Sequence, residues 1–195
     1  MIILGVDPGS RLLGYGLIEK TGNEIRVVDH GTIQLFHKEY KNIPVDETTP
    51  SRLKEIFIKL SEVIQKYRPQ VVAVEKVFFA KNAVSALKLG QARGVVLLTA
   101  AIHDLEIYEY SVTEVKSMVT GHGRADKEQV AKMLQLTLGA KEFATADASD
   151  ALALALAHAM RPSANGLQAK KSTKSGGSLK DVAEALLAKN PPMKR

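Results

Sequence analysis

The sequence predicts an α/β fold: a five-stranded mixed sheet, three antiparallel strands and then parallel ones, with helices on both faces. Three observations predict it. The chain opens with three strand-like segments and no helical pattern between them. Two later strand-like runs then alternate with helical patterns, the order that gives a sheet with helices packed on it. No segment repeats another.

The elements follow in order. Met1–Val6 is a short, continuous apolar run, as expected of a buried strand. In the loop DPGSRLLG, Pro8 keeps Asp7 out of helical geometry, and Gly9 and Gly14 suit tight turns. YGLIEK and EIRVVDHGTIQLF are two further strands, joined by a hairpin turn at Thr21-Gly22-Asn23. His37–Pro50 is polar, holds two prolines and reads as a loop. Ser51 is expected to cap the helix SRLKEIFIKLSEVIQKY. In it Leu53, Ile56, Phe57, Leu60, Val63, Ile64 and Tyr67 form one core-facing stripe, and Pro69 stops it. VVAVE is the next buried strand. KNAVSALKLGQARGVVLLTAAIHD is a long helix that tolerates Gly90 and Gly94 for close packing or a bend. EIYEYS is the fifth strand and Thr113–Thr120 a short helix. GHGRADKEQVAKMLQLTLG is a glycine-rich loop leading into a helix with Asp126 as N-cap and Gly139 as stop. Ala146–Met160 is the last helix of the body.

The chain has 195 residues, enough for one domain with a real core, placed at 1–160. Residues 161–177, RPSANGLQAKKSTKSGG, read as a basic flexible linker, and 178–195 as a tail. Within the tail, Ser178 and Asp181 make a capping-box-like pair. Leu179, Val182, Leu186 and Leu187 make the stripe of a short helix. The net charge of +6 lies in the tail: residues 161–195 hold eight Lys or Arg and two acids, leaving the body neutral. A basic tail suits a polyanionic partner, or simply solubility. The absence of cysteine removes disulfides, thiolate metal sites and cysteine nucleophiles, and fits a reducing cytoplasm. MIILGVDPGSR has no basic leader and only six residues before its first charge, so neither a signal peptide nor a membrane span is expected.

The chemistry lies in four acids. Asp147 and Asp150 stand three apart at the head of the apolar run ADASDALALALAHAM. Positions i and i+3 share a helix face, so two like charges stand side by side. The plain reading is an N-cap with a second acid complementing the helix dipole. The sharper reading is a metal site. Asp7 ends IILGVD and Glu75 ends VVAVE, each the first charge after a buried strand. Taken singly, each could merely end a strand in solvent. But the carboxyl ends of strands open onto the functional crevice of an α/β sheet. Four carboxylates meeting there would raise one another's pKa values unless compensated. An all-carboxylate set suits hard cations, Mg2+ or Mn2+. Two such ions, about 3.5–4 Å apart, can activate water and stabilise the leaving oxygen in phosphodiester hydrolysis. His158 lies about 16 Å along the helix from Asp147, too far to share an ion, and reads as a packing histidine. His122, between two glycines, reads as a solvated loop residue, with a phosphate contact as the alternative.

GVDPGSRLLGYG, VEKVFFAKNAVSALKLGQARGV, VKSMVTGHGRADKEQV and ADASDALALALAH resemble, in this order, the signature stretches of bacterial RuvC-type Holliday-junction resolvases. The resemblance runs through residues 1–160. It implies an RNase H-like fold, in agreement with the strand and helix order. It also implies a homodimer that resolves four-way DNA junctions by paired, symmetric nicks with Mg2+ or Mn2+. It further implies a junction-migration motor of the RuvA and RuvB type as partner, and roles in recombination and repair. Asp7, Glu75, Asp147 and Asp150 match the family's metal-binding acids, Phe78 an aromatic that contacts bases, and Lys116 and Lys127 basic residues of catalysis or DNA contact. The loop at 37–50 and the basic tail look longer than this resemblance leads one to expect.

The residues themselves also speak for nucleic acid. KVFFAKN sets two aromatics between lysines beside an acid, giving stacking surface and phosphate charge. Of the pair, Phe79 is expected to pack in the core and Phe78 to face DNA, with Lys81 beside it. Because the body is neutral, a DNA face must come from segregated charge, with Lys76, Lys81, Lys116, Arg124 and Lys127 as candidates. Two rival readings stand beside the nuclease. One is a junction-binding module whose acids only cap and terminate elements. The other is an ATP-binding domain of the actin and sugar-kinase kind, whose phosphate loop resembles Gly5–Ser10. The second needs two such domains, for which this chain without repeats is too short.

Overall fold

The computed structural model describes residues 1–9, 11–35, 45–76, 83–139, 143 and 145–161. Ten elements follow one another: β1 (Ile2–Asp7), β2 (Leu12–Thr21), β3 (Glu24–Gln34), α1 (Val45–Tyr67), β4 (Val71–Glu75), α2 (Ala83–Ile102), β5 (Glu106–Tyr110), α3 (Val112–Thr120), α4 (Lys127–Leu138) and α5 (Ala146–Met160). They form a five-stranded sheet in the order β3-β2-β1-β4-β5. β1 pairs antiparallel with β2, and β2 with β3; β1–β4 and β4–β5 are parallel. The two-residue turn between β2 and β3 puts Gly22 at φ 61°, a left-handed conformation that glycine adopts without steric cost.

Because side chains alternate along a strand, each central strand feeds two cores. Leu4, Val6, Val72 and Val74 face one side, where Ile56, Leu60 and Ile64 of α1 and Ala92, Val96 and Ala100 of α2 cover them. Ile3, Ile18 and Ala73 face the other, under α3, α4 and α5. Helices therefore lie on both faces, as expected.

α5 packs closest. Nine of its residues from Ala151 to Ala159 are buried, so it is apolar all round, as a helix enclosed by other elements must be. It rests on backbone. A Cβ added to Gly5 would overlap the Ala151 carbonyl oxygen, and one added to Gly14 would overlap the Asp147 carbonyl oxygen. Glycine on the sheet and alanine on the helix are what permit this approach. At its far end the buried His158 places Nδ1 2.7 Å from Tyr110 Oη and lies against the Tyr108 ring. Burial, then the nearby Arg161 charge, lowers its pKa to about 4. It is a packing histidine.

Three details differ from the sequence reading. β2 begins at Leu12, so the end of the expected DPGSRLLG loop is strand, and Gly14 is a ladder residue opposite Asp7 rather than a turn residue. α1 begins at Val45, not at Ser51, so part of the expected 37–50 loop is helix and Pro50 lies inside it. Pro50 is the sixth residue of the helix, past the four leading amides that lack intrahelical partners, so it gives up one ladder bond there; Thr48 and Arg52 on either side of it are buried. Phe57, placed in the core stripe, is 37% exposed; the buried stripe is the narrower Ile56–Leu60–Ile64 line. The caps at Asp126 and Gly139 are as expected, each with its backbone or side-chain bond in place. Apart from Arg161, the linker at 161–177 and the tail at 178–195 lie outside the described residues. No described helix is long and apolar enough to cross a membrane.

Replacing Gly5 with Ala is expected to cost about 3 kcal/mol or more, since the overlap falls on backbone that cannot swing aside. Urea unfolding of the variant measures it, and an unchanged midpoint would contradict the backbone contact.

Candidate active site

β1 and β4 are parallel neighbours in the middle of the sheet, in register at Val6–Val74. One step further come Asp7 and Glu75. Both apolar runs end at the same edge, so their first charges emerge together. Alternation then sets the face: Asp7 follows Gly5, which touches α5, and Glu75 follows Ala73, which lies in the α5 core. Both acids thus belong to the face that α5 covers.

α5 supplies the other two. Its N-cap is Thr145, whose hydroxyl accepts from Ala148 N at 3.1 Å. The plain reading gave the cap to an aspartate; Thr145 takes it, which leaves the Asp147 carboxylate free of that duty. Asp147 places its own carbonyl over Gly14, and Gly14 is the ladder partner of Asp7. Asp150 follows one turn on, on the same face.

The electrostatics register the convergence. Asp7 has its pKa raised to about 7, first by burial and then by the charges of Glu75, Asp150 and Asp147; Lys127 opposes them. Burial, then Asp150, also raises Glu75. Lys127 donates to Asp150 Oδ2 at 3.0 Å, and that bond, with the charge of Asp150, raises the lysine. Asp7 is thus within electrostatic reach of the other three acids and Glu75 of Asp150, and one ammonium partly neutralises them. Among the described residues no three His, Cys, Asp or Glu side chains stand close enough together to hold an ion as placed. In kind they fit one: the donors are carboxylates alone, and a buried carboxylate with its pKa raised by its neighbours gains from a positive charge among them.

Beside the acids opens a cavity of about 240 Å³, lined by Glu75, Asp150, Lys116 and Lys127 with Val112, Val115, Val130, Ala153 and Leu154. Lys116 and Lys127 therefore stand at the mouth of the acid cluster. Lys76 pairs instead with Glu114, at 3.4 Å, where Glu114 completes the capping box of α3. Arg124 and His122 are exposed on the loop before α4. Phe78, Phe79 and Lys81 lie outside the described residues. The sequence reading passed over Arg93 of α2, which donates from Nε to the Glu75 carbonyl oxygen at 3.1 Å. The one signal was a cation in a helix otherwise largely apolar.

Residues 3–158 match the family model of the crossover junction endodeoxyribonuclease RuvC. The chain is 52% identical over 167 residues to the RuvC crossover junction endodeoxyribonuclease of Citrifermentans bemidjiense, covering 86% of this chain and 97% of that one. It is 53% identical over 159 residues to that of a Geobacter species, covering 82% and 92%. Among solved structures it is similar to Thermus thermophilus RuvC in complex with Holliday junction substrate, with a TM-score of 0.72 and 35% identity over 82% of this chain and 93% of that one.

Asp7 also makes a stability prediction. Its folded pKa of about 7 lies above the ordinary 3.8. The stability it contributes is therefore full below pH 3.8 and lost as pH rises through 7. With chelator present, Asp7→Asn is expected to unfold less readily than the parent at pH 8, by on the order of 2 kcal/mol after screening, and to match it more closely at pH 4. Thermal melts across that range check the sign.

Proposed function

The chain belongs to the RuvC family of crossover junction endodeoxyribonucleases, and from that membership we propose how its acids, lysines and helices carry out the reaction. It is a metal-dependent endonuclease of RNase H-like fold that resolves Holliday junctions in recombination and repair. The rival readings, a non-catalytic junction module and an ATP-binding domain, give way to that membership.

The observation that supports the proposed site is that Glu75, Asp147 and Asp150 all lie within electrostatic reach of the half-buried Asp7. These four would hold Mg2+, two ions by preference, with Mn2+ able to substitute. Such ions supply an activated water and charge compensation at the leaving oxygen. The chain's own part is positional. β1 and β4 hold Asp7 and Glu75 at one sheet edge, and α5 brings Asp147 and Asp150 onto it. Lys127 balances Asp150 when the site is at rest and, with Lys116, meets the phosphate backbone. The apolar floor of the cavity keeps bulk water from that side of the phosphate. Attack in line would leave 5′-phosphate and 3′-hydroxyl ends. Phe78 is assigned to DNA by resemblance, and Lys81 by its charge beside that aromatic pair.

We propose that the protein works as a homodimer joined through α2. The outward side of this helix carries Val84, Leu87, Leu98 and Ile102, each 47% exposed or more. Gly90 and Gly94 have open space above them, room for a second helix to come close. A two-fold dimer presents two equal sites to a junction that itself has two-fold symmetry, which suits paired nicks. A RuvA and RuvB type motor as partner and a cytoplasmic setting complete the proposal.

A synthetic four-way junction with Mg2+ tests the site. Asp147→Asn is expected to bind the junction yet cut on the order of 10²–10³-fold more slowly; cutting at the parent rate would remove its role. For the dimer, Leu87→Glu with Leu98→Glu is expected to sediment as a monomer while the parent sediments as a dimer. A variant that stays dimeric would place the interface elsewhere.

A further inference from the structure

Glu75 ends β4, and the register says which residue should satisfy its backbone carbonyl. Lys76 N donates to Tyr110 O at 2.8 Å, so the even-numbered residues of β4 address β5. In a parallel ladder both backbone groups of a residue point to the same neighbour, and successive residues alternate. Glu75 therefore addresses β1. One step past the Val6–Val74 pair, the residue placed to donate to the Glu75 carbonyl is Pro8, which has no N–H. The last rung cannot form, and it is missing where Asp7 and Glu75 must stand side by side.

Arg93 fills the gap. Its Nε donates to the Glu75 carbonyl oxygen at 3.1 Å. The same guanidinium reaches Glu109 of β5, Nη2 to Oε1 at 2.6 Å, and the side chain is only 19% exposed. A planar fork can serve two directions at once; a lysine, a single point charge, cannot do so equally well. Arg93 does not figure among the charges that shift Asp7 or Glu75, so its hold on the site is through backbone.

We propose that Arg93 is a positioning residue for Glu75. By supplying the donor that Pro8 lacks, it fixes the end of β4 and with it the direction in which the Glu75 carboxylate enters the acid cluster. The inference rests on the four-acid reading. It gives Arg93 no contact with substrate. Because Arg93 belongs to α2, it also ties the proposed dimer helix to the site.

Calorimetric titration of Mn2+ into the full-length protein, with melting curves in chelator alongside, tests this. Arg93→Gln is expected to weaken Mn2+ binding about 10-fold, as for a residue that orients a ligand, with a much smaller effect on the melt in chelator. Adding Pro8→Ala returns an N–H opposite the Glu75 carbonyl and is expected to recover most of that loss. Glu109→Gln leaves the bond to Glu75 in place and is expected to stay within about 3-fold of the parent. If Arg93→Gln does not fold, Arg93→Lys, which keeps one donor, takes its place with an expected loss of about 3-fold. Unchanged Mn2+ affinity overturns the proposal, and so does a loss that Pro8→Ala fails to recover. A parent that binds no Mn2+, or an Asp147→Asn protein that binds it as tightly as the parent, ends the four-acid reading and the role of Arg93 with it.

Discussion

The structure depends on one contact: the backbone of α5 pressed against the backbone of β1 and β2. Gly5 and Gly14 give it room on the sheet, and alanines give it room on the helix. Side-chain packing would hold the helix at an ordinary helix-to-sheet distance. Here that spacing is shortened until the Asp147 carbonyl stands over Gly14. Since Gly14 is the ladder partner of Asp7, the same contact that builds the core also brings a helix acid to a strand acid. Packing and chemistry are one arrangement at this point.

The charges then work against the fold that gathers them. Asp7 sits where burial and three neighbouring acids all oppose its ionisation, and Lys127 offsets only part of that. A site of this kind is destabilising in itself and is held by the surrounding core, on both faces of the sheet. Strained electrostatics inside an otherwise well-packed body support the proposal that this is a binding site.

Much of this was legible in the residues, and the reasons for success and failure differ. Asp7 and Glu75 could be read because a buried strand of known length must end somewhere, and the first charge marks the place. Asp147 and Asp150 could be read from helical spacing. Local rules also found the one helix capped by Asp126 and Gly139. The start of α1 could not be read, because Pro50 and a polar stretch argue for a loop, while burial of Thr48 and Arg52 decides for helix. Thr145 was passed over as a cap because two aspartates nearby are stronger candidates by type. Phe57 continues the apolar spacing of its helix and yet is exposed, which no local pattern contains. Arg93 is the furthest from sequence: its partner is a backbone oxygen, and the reason proposed for it is a proline just past the end of β1.

A helix seated on peptide groups has no cushion. Side chains can lengthen, shorten or rotate to absorb a neighbour's change; carbonyl oxygens and α-carbons cannot. The spacing between the strand acids and the helix acids is therefore machined by covalent geometry, like a jig, and substitutions in the surrounding core have little leverage over it.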